Sequence, residues 1–200
     1  MSCKFVNLNH MKTENIVLEF RRAGKWRLKE LAVVLSVAFI LIGATITIDS
    51  IRTTNQIRVY YSLDTRHNDQ ELIKVIDNAD KYVYFAIYFF TKSSIADALI
   101  RAKERGVDVI GIMDRDASLN SNATILARLN SAQILMLTQR HPDGIMHIKA
   151  LVTESAYASG SYNWTDGANN VNDEVLEIGT NESVRKQYLD IIKKVLTINQ

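Results

Sequence analysis

His147 and Lys149 are the residues of this 200-residue chain whose types and spacing point most directly to chemistry. They open the run HIKALVT, which reads as a strand from His147 to Thr153, and residues two apart on a strand face the same side. An imidazole able to act as nucleophile or proton carrier therefore stands beside a fixed cation. Eleven residues beyond Lys149 begins Gly160-Ser161-Tyr162-Asn163-Trp164-Thr165, a turn in which Ser161 and Asn163, also two apart, could donate to one anion. Glu174 follows in NDEVL, at the start of another strand, where a carboxylate could orient an imidazole. Singly, these residues read as a strand histidine, a solvated edge charge and a turn. Their occurrence together, in this order, favours an anion-handling site.

Other candidates carry less. Cys3 is the single cysteine, which excludes an intrachain disulfide and a cysteine-based zinc site. His67 and His141 fall in polar loops without a cluster of metal-ligand residues and read as surface positions. Asp114, Arg115 and Asp116 read as strand-end turn residues rather than a metal or acid–base cluster, although strand ends in such sheets border crevices. Tyr88, Phe89 and Phe90 could stack bases, but an aromatic run following Tyr82–Ile87 reads as core and stays outside the site.

The elements that must position these residues alternate in type. Ile57–Ser62 reads as a strand, Asp69–Ala79 as a helix, Tyr82–Phe90 as a buried aromatic-rich strand, and Ser93–Arg105 as a helix. In that helix Ser94 and Asp97 have capping-box-like spacing, and Gly106 is its stop. Val107–Met113 reads as a strand, Ala123–Asn130 as a helix and Ala132–Leu137 as a strand. The β-α-β-α-β-α-β order indicates an α/β layered sheet. The last quarter brings strands His147–Thr153, Tyr157–Gly160 and Glu174–Ile178, then a helix from about Asn181 to Leu196.

At 47% hydrophobic and 23% charged residues, with one Pro, the chain is too apolar to be disordered and too aperiodic to be fibrous. The net charge of +2 conceals an asymmetry, because the excess of Lys and Arg lies within residues 1–30. The near-neutral remainder has no global electrostatic footprint for nucleic acid. Residues 31–48, LAVVLSVAFILIGATITI, contain no charge. As a helix they would rise roughly 27 Å, close to a hydrocarbon core of about 30 Å, which predicts a single transmembrane anchor. Arg21, Arg22, Lys25, Arg27 and Lys29 precede it, so the positive-inside rule places the N-terminus in the cytoplasm and the following domain outside it, periplasmic or at the cell surface. The competing reading is a cleaved signal, giving a secreted or periplasmic protein. The resulting organisation is a basic segment 1–30, an anchor 31–48, a polar tether 49–56 and a catalytic domain 57–200.

The H-x-K and G-S-x-N arrangement resembles the phospholipase D superfamily motif, H-x-K-x4-D followed by G-S-x-N. GSYNWT, NDEVL and the upstream RAKERGVDV are most similar to the small single-motif bacterial endonuclease branch, and the resemblance covers about residues 57–196. Two departures stand out: the motif's Asp position is Glu154, and the link from it to Gly160 is one residue shorter than usual. The resemblance implies a phospholipase D/nuclease-like fold, a layered mixed β-sheet flanked by helices. It also implies a metal-independent phosphodiesterase, without cofactor, that works through a phosphohistidine. His147 is then the nucleophile, Lys149, Ser161 and Asn163 bind phosphate, Glu174 bonds the far ring nitrogen of the histidine, and Glu154 and Gly160 are structural.

The family's site holds two H-x-K motifs, whereas His10-Met11-Lys12 has no G-S-x-N after it, so the resemblance further implies a homodimer through the active site. Nucleic acid is the expected substrate. Phospholipid is the alternative, motivated by the anchor, although so small a domain leaves little room for an acyl groove. A catalytically inactive phosphate-binding protein is the third reading, motivated by Glu154 and the short hairpin.

Overall fold

The structure, a computed structural model, describes residues 27–43, 56–140 and 143–200. β1 (Ile57–Tyr61), β2 (Tyr82–Ile87), β3 (Asp108–Met113), β4 (Leu135–Thr138), β5 (Lys149–Thr153), β6 (Tyr157–Gly160) and β7 (Val175–Gly179) form one sheet in the order β1-β7-β6-β5-β2-β3-β4. β3 is parallel to β2 and β4, while the other neighbours are antiparallel, so the sheet is mixed as expected. The helices are α1 (residues 27–43), α2 (Ser62–Thr65), α3 (Asn68–Asp77), α4 (Ser93–Glu104), α5 (Arg115–Leu119), α6 (Ala123–Ser131), α7 (Asp166–Asn170) and α8 (Glu182–Ile198).

Helices cover both faces of the sheet. Leu72 and Ile76 of α3, Ile95 and Leu99 of α4 and Leu129 of α6 pack with Phe85, Leu151 and Trp164 on one face. Ile192 and Leu196 of α8 pack on Ala86, Ile112, Val152 and Tyr157 on the other. A strand covered on both faces favours apolar residues, and β5 is buried at every position, with Ala150, Leu151 and Val152 between buried Lys149 and Thr153. The register then sets the site. Ile87 lies opposite Lys149 and Gly160 opposite Leu176, so the C-terminal ends of β2 and β6 and the N-terminal ends of β5 and β7 share one edge. His147, Tyr88, Ser161 and Glu174 lie just beyond those strand ends.

Several expectations are corrected. No helix among the described residues is long and apolar enough to cross a membrane. The described part of α1, residues 27–43, includes the charged residues Arg27, Lys29 and Glu30. Within the described residues its uncharged part, 31–43, rises about 20 Å, against a hydrocarbon core of about 30 Å. Residues 44–48 of the predicted span lie outside the described residues. The single-pass anchor, and with it the cytoplasm-to-exterior orientation, is therefore not supported, whereas a secreted or periplasmic location is compatible with the fold.

The capping box of α4 is also absent. Lys92 is its N-cap without a side-chain bond, Ser94 Oγ is buried without a partner, and Asp97 pairs with Arg128. Tertiary packing has taken both polar groups from their local roles. Three short helices, α2, α5 and α7, were not expected. Each has five residues or fewer and lacks the periodicity that marks a longer helix.

Candidate active site

The β5 arm brings in His147 and Lys149. The His147 side chain is exposed, whereas Lys149 is buried at 7% exposure, and its Nζ donates to the His147 carbonyl at 3.0 Å. No carboxylate among the described residues forms an ion pair with this ammonium. Burial pulls the Lys149 pKa down, and the negative charge of Glu174 opposes that shift. Asp114 braces the arm from the end of β3. It is buried, its Oδ1 accepts from the N–H groups of Asp116 and Ala117 to cap α5, and its Oδ2 accepts from the Met146 N–H at 3.0 Å. The strand-end reading of Asp114 was sound, but it omitted this contact, which spans 32 positions and leaves no local signal.

The β6 arm brings in Ser161 and Asn163. Gly160 has φ +145°, and a Cβ there would lie 2.1 Å from the Val175 carbonyl, so only glycine lets the turn approach β7 so closely. The N–H groups of Ser161 and Tyr162 donate to that same carbonyl. Ser161 Oγ donates to Glu174 Oε2 at 2.5 Å and accepts from the Val175 N–H at 3.1 Å. Glu174, 9% exposed, takes a second bond from Asn172 Nδ2. The expected bond from Glu174 to the imidazole is therefore replaced within the protomer. Within the protomer the carboxylate is hydrogen-bonded to Ser161 and Asn172, and its negative charge is felt at Lys149.

Asn163 Oδ1 accepts from the Phe89 N–H at 3.2 Å. Because a backbone N–H must face the oxygen, the amide orientation is set and Nδ2 remains available as a donor. The Phe89 segment is held further. Buried Asn122 donates through Nδ2 to the Tyr88 carbonyl and accepts through Oδ1 from the Phe90 N–H, both at 2.8 Å. Trp164 joins in, donating from its N–H to the Phe89 carbonyl and accepting from the Thr91 and Lys92 N–H groups.

Tyr88 is the residue the sequence reading left out. Its ring centroid is 4.7 Å from that of His147, and Lys149 Nζ lies over the same ring at 5.1 Å. The strand β2 ends at Ile87, so Tyr88 leaves the core where the run YFAIYFF would continue it. Only the nearby strand end reveals this, since the aromatic run shows no break.

Glu154 has a structural arrangement. Its carboxylate accepts from the N–H groups of Asp80, Lys81 and Tyr82, tying the β5–β6 hairpin to the start of β2. Partial burial pushes this carboxyl up, but those N–H groups outweigh it and hold it below the usual carboxylate range. The shorter hairpin is absorbed in its turn, where Thr153 Oγ1 accepts from the Ser155 and Ala156 N–H groups. Beyond the turn, Ala150 pairs with Ser159. His67 is exposed at the start of α3, whereas His10 and His141 lie outside the described residues.

Beside His147 opens a cleft of about 470 Å³. Ile145, Met146, Ile148, Val195 and Ile198 make much of its wall, with Arg140 at one side. This space lies between the end of α8 and the segment that carries His147.

A family model described as "Cardiolipin synthase, PLD-like domain" matches residues 72–196. The chain belongs to the phospholipase D-like family. Relatives of this phospholipase D-like chain include proteins named phospholipase D from Rickettsia conorii, 31% identical over 115 residues, and from Rickettsia typhi, 29% identical over 119 residues. These matches cover 57% and 59% of this chain and 56% and 57% of the relatives. The chain therefore spans about half the length of the curated relatives it matches. Among solved structures, the phospholipase D family member Nuc from Salmonella typhimurium superposes with a TM-score of 0.68 at 23% identity, over 73% of this chain and 97% of that one. NucT from Helicobacter pylori gives 0.66 at 23%, over 72% and 96%. At such identities the likeness is one of fold.

Proposed function

We propose that this phospholipase D-like protein is a metal-independent phosphodiesterase, and that its substrate is nucleic acid cut at internal phosphodiester bonds. The observation that carries the reading is Lys149. A buried ammonium whose hydrogen bond goes to a carbonyl, next to an exposed imidazole and a fixed amide donor, is a cradle for one anionic group. The preference for nucleic acid rests on the similarity of the motif set to the single-motif endonuclease branch.

Phosphodiesters resist attack because they are anionic, so catalysis requires a nucleophile, an acid for the leaving oxygen and positive charge around the phosphoryl group. A ring nitrogen of His147 attacks phosphorus, and the bond to the leaving oxygen breaks. Lys149 and Asn163 Nδ2 take up the charge on the phosphoryl oxygens, and Ser161, held by Glu174, lines the same pocket. One imidazole cannot be nucleophile and acid in the same step. In a twofold dimer the partner's His147 protonates the leaving oxygen. It then removes a proton from the water that breaks the phosphorus–nitrogen bond and frees His147.

A second reading, phospholipid hydrolysis or phosphatidyl transfer, is favoured by the aliphatic cleft beside His147 and by the names of the Rickettsia relatives. One experiment separates the two. The full chain and His147→Ala are incubated in excess EDTA with supercoiled plasmid and, in parallel, with phosphatidylcholine vesicles. Nicking and linearisation lost in the variant are expected. Release of choline without DNA cleavage would reverse the order of the readings. Tight binding of DNA without turnover of either substrate would favour the inactive phosphate-binding protein.

A further inference from the structure

Two functional groups meet on one aromatic ring. Lys149 Nζ sits over Tyr88 at 5.1 Å, and the His147 imidazole rests on it at 4.7 Å with the ring planes inclined at 56°. The backbone that carries the ring is held in place, because Asn122 holds the Tyr88 carbonyl and the Phe90 N–H while Asn163 holds the Phe89 N–H. No group among the described residues hydrogen-bonds the Tyr88 hydroxyl, so the ring rather than the oxygen makes the contacts.

We propose that Tyr88 is a positioning residue of this site: its ring, carried on a fixed backbone, keeps the Lys149 ammonium charged where it is buried and fixes the angle of the His147 imidazole. The proposal rests on the phosphodiesterase reading for its kinetic consequence but not for its electrostatics. An ammonium over an aromatic face gains electrostatic attraction that a neutral amine does not, and the gain grows as water is excluded. The groups facing Lys149 are few. His147 comes from its own arm, Glu174 from the start of β7 and Tyr88 from the end of β2. Burial lowers the Lys149 pKa, Glu174 raises it, and the Tyr88 ring acts in the same direction as Glu174. The imidazole contact is one of packing, with the two ring planes inclined at 56°.

Tyr88→Leu and Tyr88→Phe in the full chain test this. The Lys149 titration is followed by NMR in protein labelled at lysine, and the pH–rate profile is measured with a phosphodiester substrate. In Tyr88→Leu the Lys149 midpoint is expected to fall by about half to one and a half pH units. The basic limb of the profile falls with it, and kcat drops roughly tenfold or more while KM changes little. Tyr88→Phe keeps the ring and is expected to restore the midpoint and most of the rate. A midpoint and profile in Tyr88→Leu equal to those of the parent would overturn the proposal, as would failure of Tyr88→Phe to rescue. If the parent turns over no phosphodiester but the leucine variant still shifts Lys149, the positioning role stands and the functional reading falls.

Discussion

Asn163 shows how much a single side chain decides here. Its oxygen is committed to the Phe89 N–H, so what it offers a ligand is two amide hydrogens. Asn163→Asp separates the two duties, because the aspartate still accepts from Phe89 but presents an oxygen anion where a donor is needed. We expect the variant to melt within a few degrees of the parent and to lose about 10²–10³ in kcat/KM, as for removal of one oxyanion donor. Thermal unfolding by circular dichroism and plasmid-nicking rates measure the two halves. A large loss of stability with normal turnover in the surviving protein would show that the amide is structural. Ser161 and Glu174 differ from this pattern. Their short mutual hydrogen bond makes the carboxylate a support for the hydroxyl, so a change at Glu174 is felt at Ser161 and Lys149 together.

At the scale of elements, the site is a junction of strand ends held by residues that never touch a ligand. Asp114 secures the segment leading to β5, and Asn122 secures the segment leaving β2. Both come from the connection between β3 and α6, so one stretch of chain braces two arms of the site. Asn122→Ala leaves a carbonyl and an N–H unpaired in a buried place. Each unsatisfied group costs about 1–3 kcal/mol, so we expect a loss in that range or somewhat above it in urea unfolding. Turnover should fall as well, because the Tyr88 ring and the Phe89 partner of Asn163 loosen together. Unchanged stability would mean that water replaces the amide at no cost. At the β6 end Gly160 has the same standing, since any side chain there collides with the β7 backbone.

For the whole molecule, the decisive matter is whether one phosphate sees one His147 or two. The symmetric arrangement makes every site depend on both protomers. Mixing the parent with an equal amount of His147→Ala and allowing subunits to exchange should then reduce activity per parent chain to about half, because mixed dimers are dead. Light scattering alongside the assay reports the dimer itself. Activity that stays constant per parent chain would show that each protomer works alone and would require another proton donor for the leaving oxygen.

The family was legible in the sequence because H-x-K and G-S-x-N are local patterns. The strand alternation expected to align them does not apply as such, because His147 precedes β5 and Ser161 and Asn163 follow β6. Also legible were β2, β3 and β5, whose apolar runs announce burial on two faces, and α3, α4, α6 and α8, whose periodicity exceeds two turns. The apolar stretch at 31–48 reads as a span by residue count, whereas no helix among the described residues is long and apolar enough to cross a bilayer. What only the tertiary structure decided are the contacts between distant residues. Tyr88 reaches His147 because β2 lies beside β5, Asn122 reaches Tyr88 across 34 positions, and Ser161 donates to the Glu174 carboxylate. Strand order and register bring these groups together, and neither is written in the spacing of any one segment.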